Sequence, residues 1–480
     1  MSNSNFRRAR PQSTRYSNNC HSSRVTYDHN LNSNRCFYYE KNNEIEQQSN
    51  QQSPVPLLAP SSQQAMLTSQ QQFYSNHTYQ SNNRPFHHIE NHLSNRMWSN
   101  TMYQEYFRRY HQQHFKIHVV CYNILAQSLL EDNRFLYMNC LKNNLQWHRR
   151  KERLLREILR QDADILCLQE MESYHYENEF RPKFMEYGYD SIYLKRSGNK
   201  SDGCCIFYKI KRLRLMESKA VPFYQKDIRI LDRDNCGLIA LFQPIHPETS
   251  SDDLFCVATT HLLFSPKRGD IKLAQLQYFL AEIDRLATRD CSTNCYYPII
   301  LCGDFNAQPQ CPLIQFLLNQ YIKYDSYRCI DISGQTPSSV VNEHFSYPLP
   351  SNELLPLSFV TSDCRLATLN NELIFEKQTN QQQSSAILTH NKQLLSVYDS
   401  NDLLDVTTNA GDEAHLVDYI FYTQQENDPY RLNLLSRYDL YKQNEVIDVH
   451  MPNHQFASDH FMLAAKFALK LRNTNVVHQQ

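Results

Sequence analysis

From Phe115 onward the chain is built of short apolar runs, each stopping on an amide, a carboxylate or a histidine. "FKIHVVCY" (115–122) stops at Asn123, "ADILCLQE" (163–170) ends on Glu170, and "LFCVATTH" (254–261) ends on His261. Runs of this length, rich in β-branched and aromatic residues and free of helical periodicity, read as strands buried on both faces. The most informative is "IILCGDFNAQPQ" (Ile299 to Gln310), which passes from a buried strand into Asp304 and Asn306. Two residues apart on extended chain, these side chains point the same way. Desolvating an unpaired carboxylate is costly, so Asp304 needs a partner such as a cation.

Helical patterns separate some of these runs. "WHRRKERLLREILRQ" (147–161) sets Leu154, Leu155, Ile158 and Leu159 on one stripe with basic residues opposite. "GDIKLAQLQYFLAEIDRL" (269–286) is a second amphipathic helix, with Asp270 expected as its N-cap. A third is expected over 312–319. Strands alternating with helices give an α/β class. Residues 203–261 hold several strands with no helix between them, which argues for substantial antiparallel pairing, with two packed sheets as one arrangement.

Composition divides the chain. Residues 1–114 contain 46 Asn, Gln or Ser, no glycine and a net charge of +5, whereas the rest carries −6. So polar a tract cannot offset the entropy of ordering, and 1–114 is expected to be a disordered tail before a catalytic domain at 115–472. Within that tail, 103–115 has the pattern of a helix leading into the first strand. A flexible insertion is expected at about 376–393 ("EKQTNQQQSSAILTHNKQ") and a short tail at 473–480. No run of about 18 apolar residues exists, so no membrane helix is expected. The first residues lack a secretory core. Fifteen cysteines without such a leader suggest reduced thiols and a cytoplasmic setting, with the nucleus as the alternative and the mitochondrion behind both. Their spacing does not suit zinc.

Polar residues thus recur where buried runs end: Asn123, Glu170, His261, Asp304 with Asn306, Asp418, and Asp459 with His460. Singly, each is an ordinary turn, cap or solvent-facing residue. Together, on strand ends sharing one edge, they would converge. Carboxylates and amides without a Cys/His pattern suit a hard cation, Mg²⁺ with Mn²⁺ as the alternative. Such an ion neutralises phosphate oxygens, which points to hydrolysis of phosphodiesters or phosphomonoesters. The glycine-rich phosphate loop of nucleotide triphosphatases is missing from the sequence.

The ordered motifs "YNILAQ" (122–127), "DILCLQEME" (164–172), "THLLFSPKRGDIKLAQLQ" (260–277), "CGDFNAQP" (302–309), "VDYIFY" (417–422) and "SDH" (458–460) resemble the endonuclease/exonuclease/phosphatase superfamily. They resemble in particular its branch of Angel proteins, nocturnin and carbon-catabolite-repressor deadenylases, and the third block is nearest to the Angel proteins. The resemblance covers about 115–470. It implies a four-layer α/β/β/α sandwich of two mixed sheets, like that of DNase I. It also implies roles: Glu170 as main metal ligand with Asn123 and Asp459; Asp304 orienting the attacking water; Asn306 on the scissile phosphate. His460, held by Asp418, would stabilise phosphate charge, His261 would donate to a phosphate oxygen, and Pro266 would line a base slot. The choice of general base stays open.

One departure matters. Similar deadenylases carry an adenine-stacking aromatic just before the aspartate of "VDYIFY", and "TTNAGDEAHL" (407–416) has none. The function expected first is Mg²⁺-dependent hydrolysis at RNA 3′ ends as a 3′→5′ exoribonuclease acting on mRNA. The alternative is an RNA 2′,3′-cyclic phosphatase of the Angel type. More distant are a phospholipid or inositol phosphatase and an inactive RNA-binding module. The expected partner is an RNA 3′ end, with no membrane partner.

Overall fold

A computed structural model describes residues 93, 95–109, 113–290, 295–335, 347–349, 354–360, 386–398, 404–411, 413–424 and 431–472. The strands that matter here are β1 (Trp98–Asn100), β2 (His114–Asn123), β3 (Ile165–Glu172), β4 (Tyr189–Lys195), β5 (Asp202–Lys209), β6 (Leu213–Pro222), β7 (Cys236–Pro244) and β8 (Phe255–His261). They continue with β9 (Ile299–Asp304), β10 (Tyr321–Lys323), β11 (Ile387–Thr389), β12 (Leu394–Ser396), β13 (Asp418–Thr423), β14 (Leu432–Tyr438) and β15 (Leu463–Lys470). Four helices are α1 (Tyr103–Arg109), α2 (Trp147–Gln161), α3 (Gly269–Ala287) and α4 (Pro312–Asn319).

A seven-stranded sheet runs β1-β14-β15-β2-β3-β5-β4, and a six-stranded sheet runs β12-β13-β9-β8-β7-β6. Each has one parallel pair, β2 with β3 and β8 with β9, and every other ladder is antiparallel. The parallel pairs exist because α2 and α3 cross over between their strands, which antiparallel hairpins do not need. One apolar cluster takes Ile117, Cys121 and Cys167 from the first sheet, Ile239, Val257 and Leu301 from the second, and Leu276 and Phe279 from α3. A second seats Leu154 and Ile158 of α2 against Val120, Leu166 and Leu168. The order of layers is therefore helix, sheet, sheet, helix, as expected.

Three expectations need correction. Ordered chain begins before Phe115: β1 pairs with β14, and α1 lies within the segment read as tail. A three-residue edge strand has no periodicity to detect; Lys466 sits 3.6 Å from the Trp98 ring centroid and Arg96 4.3 Å from that of Tyr438. The remaining expected tail, apart from residues 93, 95–109 and 113–114, lies outside the described residues, as do 376–385 and 473–480. The second half of the expected insertion is structured: β11 pairs with β10, and buried Lys392 bonds Asp284 of α3. Its polar composition hid residues that bury α3 on a further side. Asp270 lies inside the first turn of α3, paired with Arg268 at 2.9 Å, and Arg268 holds the cap position without a side-chain cap bond. The described cysteines are free thiols, most of them buried.

His118 on β2 is buried with its Nε2 unpartnered among the described residues, and burial beside Lys466 and Lys116 lowers its pKa to about 3. The unfolded chain takes up this proton below about 6.5 while the native state refuses it, so its contribution to stability is full above that pH and is lost as pH falls toward 3. We expect wild type to lose up to about 1.4 kcal/mol more per pH unit than His118→Leu between pH 6 and 4, measured by urea unfolding; parallel curves would show that His118 does not titrate this way.

Candidate active site

Backbone register does most of the assembly. On β9, Asp304 is the register partner of His261 on parallel β8 and of Asp418 on antiparallel β13. Gly303, just before it, has φ +146°, and a Cβ there would lie 2.0 Å from Thr260 O, so only glycine lets β9 approach β8 this closely. On the other sheet, Asn123 pairs with Gln169, and a register shift between Leu168 and Met171 swings Glu170 out of the ladder at φ +59°. Leu125 (φ +56°) and Asn306 (φ +48°) are also left-handed. Backbone strain of this kind, of order 1 kcal/mol or more per residue, persists only where surrounding bonds enforce it.

Those bonds link the two sheets. Asn123 Nδ2 donates to Glu170 Oε1 at 3.0 Å and to Asp304 Oδ2 at 3.1 Å. Ala126 N donates to Glu170 Oε2 at 2.9 Å, and Asn306 N to Asp304 Oδ1 at 2.9 Å. His261 Nε2 and His460 Nε2 stand 3.6 and 3.9 Å from Asp304 Oδ2. His460 Nδ1 meets Asp418 Oδ2 at 2.8 Å, and His460 Nε2 is 4.0 Å from Asp459 Oδ1. All eight predicted groups therefore converge, each 9% exposed or less. Asn306 Nδ2 is spent on Leu262 O at 3.1 Å, and Pro266 lies on the loop after β8, its carbonyl accepting from Ser333 Oγ at 3.4 Å.

Electrostatics mark the centre as short of positive charge. Burial, then Asp202 and Asp459, push Glu170 up to about 7. Burial and the neighbouring Asp418 raise Asp304 as well. Burial opposes a charged His460, but Asp418, Asp459 and Asp304 outweigh it and hold its pKa well above the usual imidazole value. Burial lowers His261. Asp418 Oδ1 is buried without a partner among the described residues, and ligand atoms of Asp304, Asp418 and His460 lie within 4.8 Å of one another. Oxygen donors short of cations fit a hard divalent ion.

Sequence reading missed two supports. Tyr137, from the 127–146 connection, donates its hydroxyl to Asp459 Oδ2 at 2.8 Å. Arg150 is completely buried: its guanidinium donates to Ala457 O and Ile124 O, both at 2.7 Å, to Leu125 O at 2.5 Å and to Gln127 Oε1 at 2.8 Å. It ties the turn after Asn123 to the turn before Asp459. The expectation that every basic residue of α2 faces outward fails here. Its place four residues before Leu154, on the apolar stripe, is the signal that could have found it.

The chain is similar to known proteins over most of its length. The model of the Endonuclease/Exonuclease/phosphatase family matches residues 121–460. Mouse protein angel homolog 2 is 37% identical over 383 residues, covering 74% of this chain and 70% of its own. Protein angel of Drosophila melanogaster is 37% identical over 286 residues, 56% of this chain and 78% of its own. The crystal structure of ANGEL2, a 2′,3′-cyclic phosphatase, in complex with adenosine-2′,3′-vanadate superposes with a TM-score of 0.64 at 36% identity. It covers 79% of this chain and 100% of that one.

Replacing Arg150 by Met strands four acceptors, and we expect a loss of about 3 kcal/mol or more in denaturant unfolding. Tyr137→Phe removes only one bond to Asp459; it should leave the melting temperature within a few degrees while raising the half-saturating Mg²⁺ concentration for thermal stabilisation about threefold or more. An unchanged Mg²⁺ requirement would remove Tyr137 from the site.

Proposed function

The chain belongs to the endonuclease/exonuclease/phosphatase family, whose members are hydrolases, and from that premise we propose that it hydrolyses the 2′,3′-cyclic phosphate at RNA 3′ ends. The observation that carries this is the 36% identity to ANGEL2, a 2′,3′-cyclic phosphatase matched over its whole length. The site geometry supports it. Residues 407–409, in the segment where a stacking aromatic would be needed to favour adenine tails, instead run beneath the catalytic loops: Asn409 N donates to Asp459 O at 2.8 Å and Thr407 Oγ1 accepts from Asp418 N at 3.0 Å. A substrate recognised chiefly by its phosphate and ribose does not require that ring.

In this scheme Glu170, Asn123 and Asp459 would hold a divalent cation, Mg²⁺ or Mn²⁺. Once bound, that ion supplies charge neutralisation for the phosphate oxygens. Asp304 orients the attacking water and takes its proton, since its carboxylate faces both the Asn123 amide and the two histidines. Water oxygen bonds to phosphorus, the bond from phosphorus to one ribose oxygen breaks, and that oxygen takes a proton from solvent and leaves as a hydroxyl. A second hydrolysis of the monoester releases phosphate. His460, kept charged by Asp418, is a donor to the developing phosphate charge rather than a base. His261 and the second N–H of the Asn306 carboxamide, the one not given to Leu262 O, donate to the remaining phosphate oxygens.

A second reading, 3′→5′ exonuclease action, draws on Phe264. This residue is 47% exposed on the loop between His261 and Pro266, where a base could stack. Two RNAs of one sequence decide between them, one ending in a 2′,3′-cyclic phosphate and the other in adenosines with a free 3′-hydroxyl. With Mg²⁺ we expect the cyclic end to open without shortening of either RNA. Glu170→Ala and Asp304→Ala should each lower the rate by about 100-fold or more. Shortening of the hydroxyl-ended RNA would favour the exonuclease; inactivity on both would sink the RNA assignment.

A further inference from the structure

The outer face of α2 carries arginines at 149, 153, 156 and 160, spacings of four, three and four that place all four on one helical stripe. The stripe faces away from Leu154 and Ile158, spans about 16 Å along the helix, and has one acid, Glu152, at its flank. Several arginines elsewhere on this surface keep acids: Arg134 with Glu131, Arg181 with Glu177, Arg285 with Glu282. Arg149, Arg156 and Arg160 are exposed and make no ion pair among the described residues; Glu157, which Arg160 feels, turns inward to bond Tyr122 at 3.0 Å. The next acid, Asp162, is taken by Lys209 at 2.6 Å. Such a concentration stands out in a domain whose residues from Phe115 on are net negative.

Its position gives it a use. The crossover from β2 to parallel β3 starts α2 at the catalytic end, where Arg150 grips the turn after Asn123, and finishes it at the far end of the sheet. Arg153 reaches Asn453 O on the segment leading to Asp459. The stripe thus begins at the rim of the site and runs away from it. We propose that Arg149, Arg156 and Arg160 form a track for the phosphodiester backbone of RNA upstream of the 3′ end held in the site. This rests on the proposed RNA-end activity for the polarity of the strand. The track reads charge and not sequence, so it confers affinity for long RNAs over short ones.

Fluorescence anisotropy on the full chain, which needs no turnover, tests it with a single-stranded RNA of about 20 nucleotides and a dinucleotide of the same 3′ end. The triple change of Arg149, Arg156 and Arg160 to Gln should weaken binding of the long RNA about tenfold and reduce the slope of log affinity against log salt by about 2. Dinucleotide affinity should not move, and the triple change to Lys should keep the slope. An unchanged slope for the Gln variant, or equal losses for both lengths, would overturn the track. So would retained RNA binding with lost binding to phosphatidylserine vesicles, which would make the stripe a membrane contact. A failed cyclic-phosphate assay would leave the length- and salt-dependence standing as a separate result.

Discussion

One carboxamide joins the two halves of this protein's site. Asn123, at the end of β2, gives one N–H to Glu170 on its own sheet and the other to Asp304 on the facing sheet. An amide can do this because it offers two donors in fixed geometry while its oxygen stays free to accept from Leu125 N at 3.0 Å. The two carboxylates would otherwise repel across a dry gap, and burial already pushes both toward their neutral forms. The rest of the site depends on that bridge, since it sets how far apart the sheet edges stand at the site.

The sandwich makes the bridge possible by repeating one unit. Each sheet places a parallel strand pair beneath a crossover helix, so both deliver polar residues from the carboxyl ends of their parallel strands to a shared edge, where open α/β sheets gather ligands. The antiparallel strands then add to it. β13 brings Asp418 opposite Asp304, and the turn before β15 brings Asp459 and His460. Buried side chains outside the reacting set hold these turns. Arg150 clamps two of them, and Lys272 of α3, also fully buried, donates to Asn306 O at 2.6 Å and so supports the left-handed turn after Asp304. Burial lowers the Lys272 pKa to about 7.

Much of this was legible in the chain because strands buried on both faces announce themselves. An apolar run broken by an acid has few explanations, and six motifs in order resembled one superfamily, which implied the sandwich. What escaped detection escaped for identifiable reasons. β1 is three residues long with one apolar side chain, Trp98, held by contacts to Tyr438 and Lys466 that lie hundreds of positions away. β11 sits in a glutamine-rich stretch whose composition outweighs three apolar residues in any local window. Arg150 was assigned to solvent because arginine usually faces it; only the four carbonyl and amide oxygens waiting on other segments reverse that preference.

By itself, then, the sequence determined the class of the fold, the order of its elements and the identity of the groups at the centre, because periodicity and residue chemistry are local. Tertiary structure alone decided which oxygen faces which nitrogen. It brought His261 Nε2 to 3.6 Å from Asp304 Oδ2, recruited Tyr137 to Asp459, and turned one arginine of α2 inward while leaving three neighbours bare. Those outcomes depend on strand register and on where turns from distant parts of the chain meet, distances that no local pattern of residues encodes.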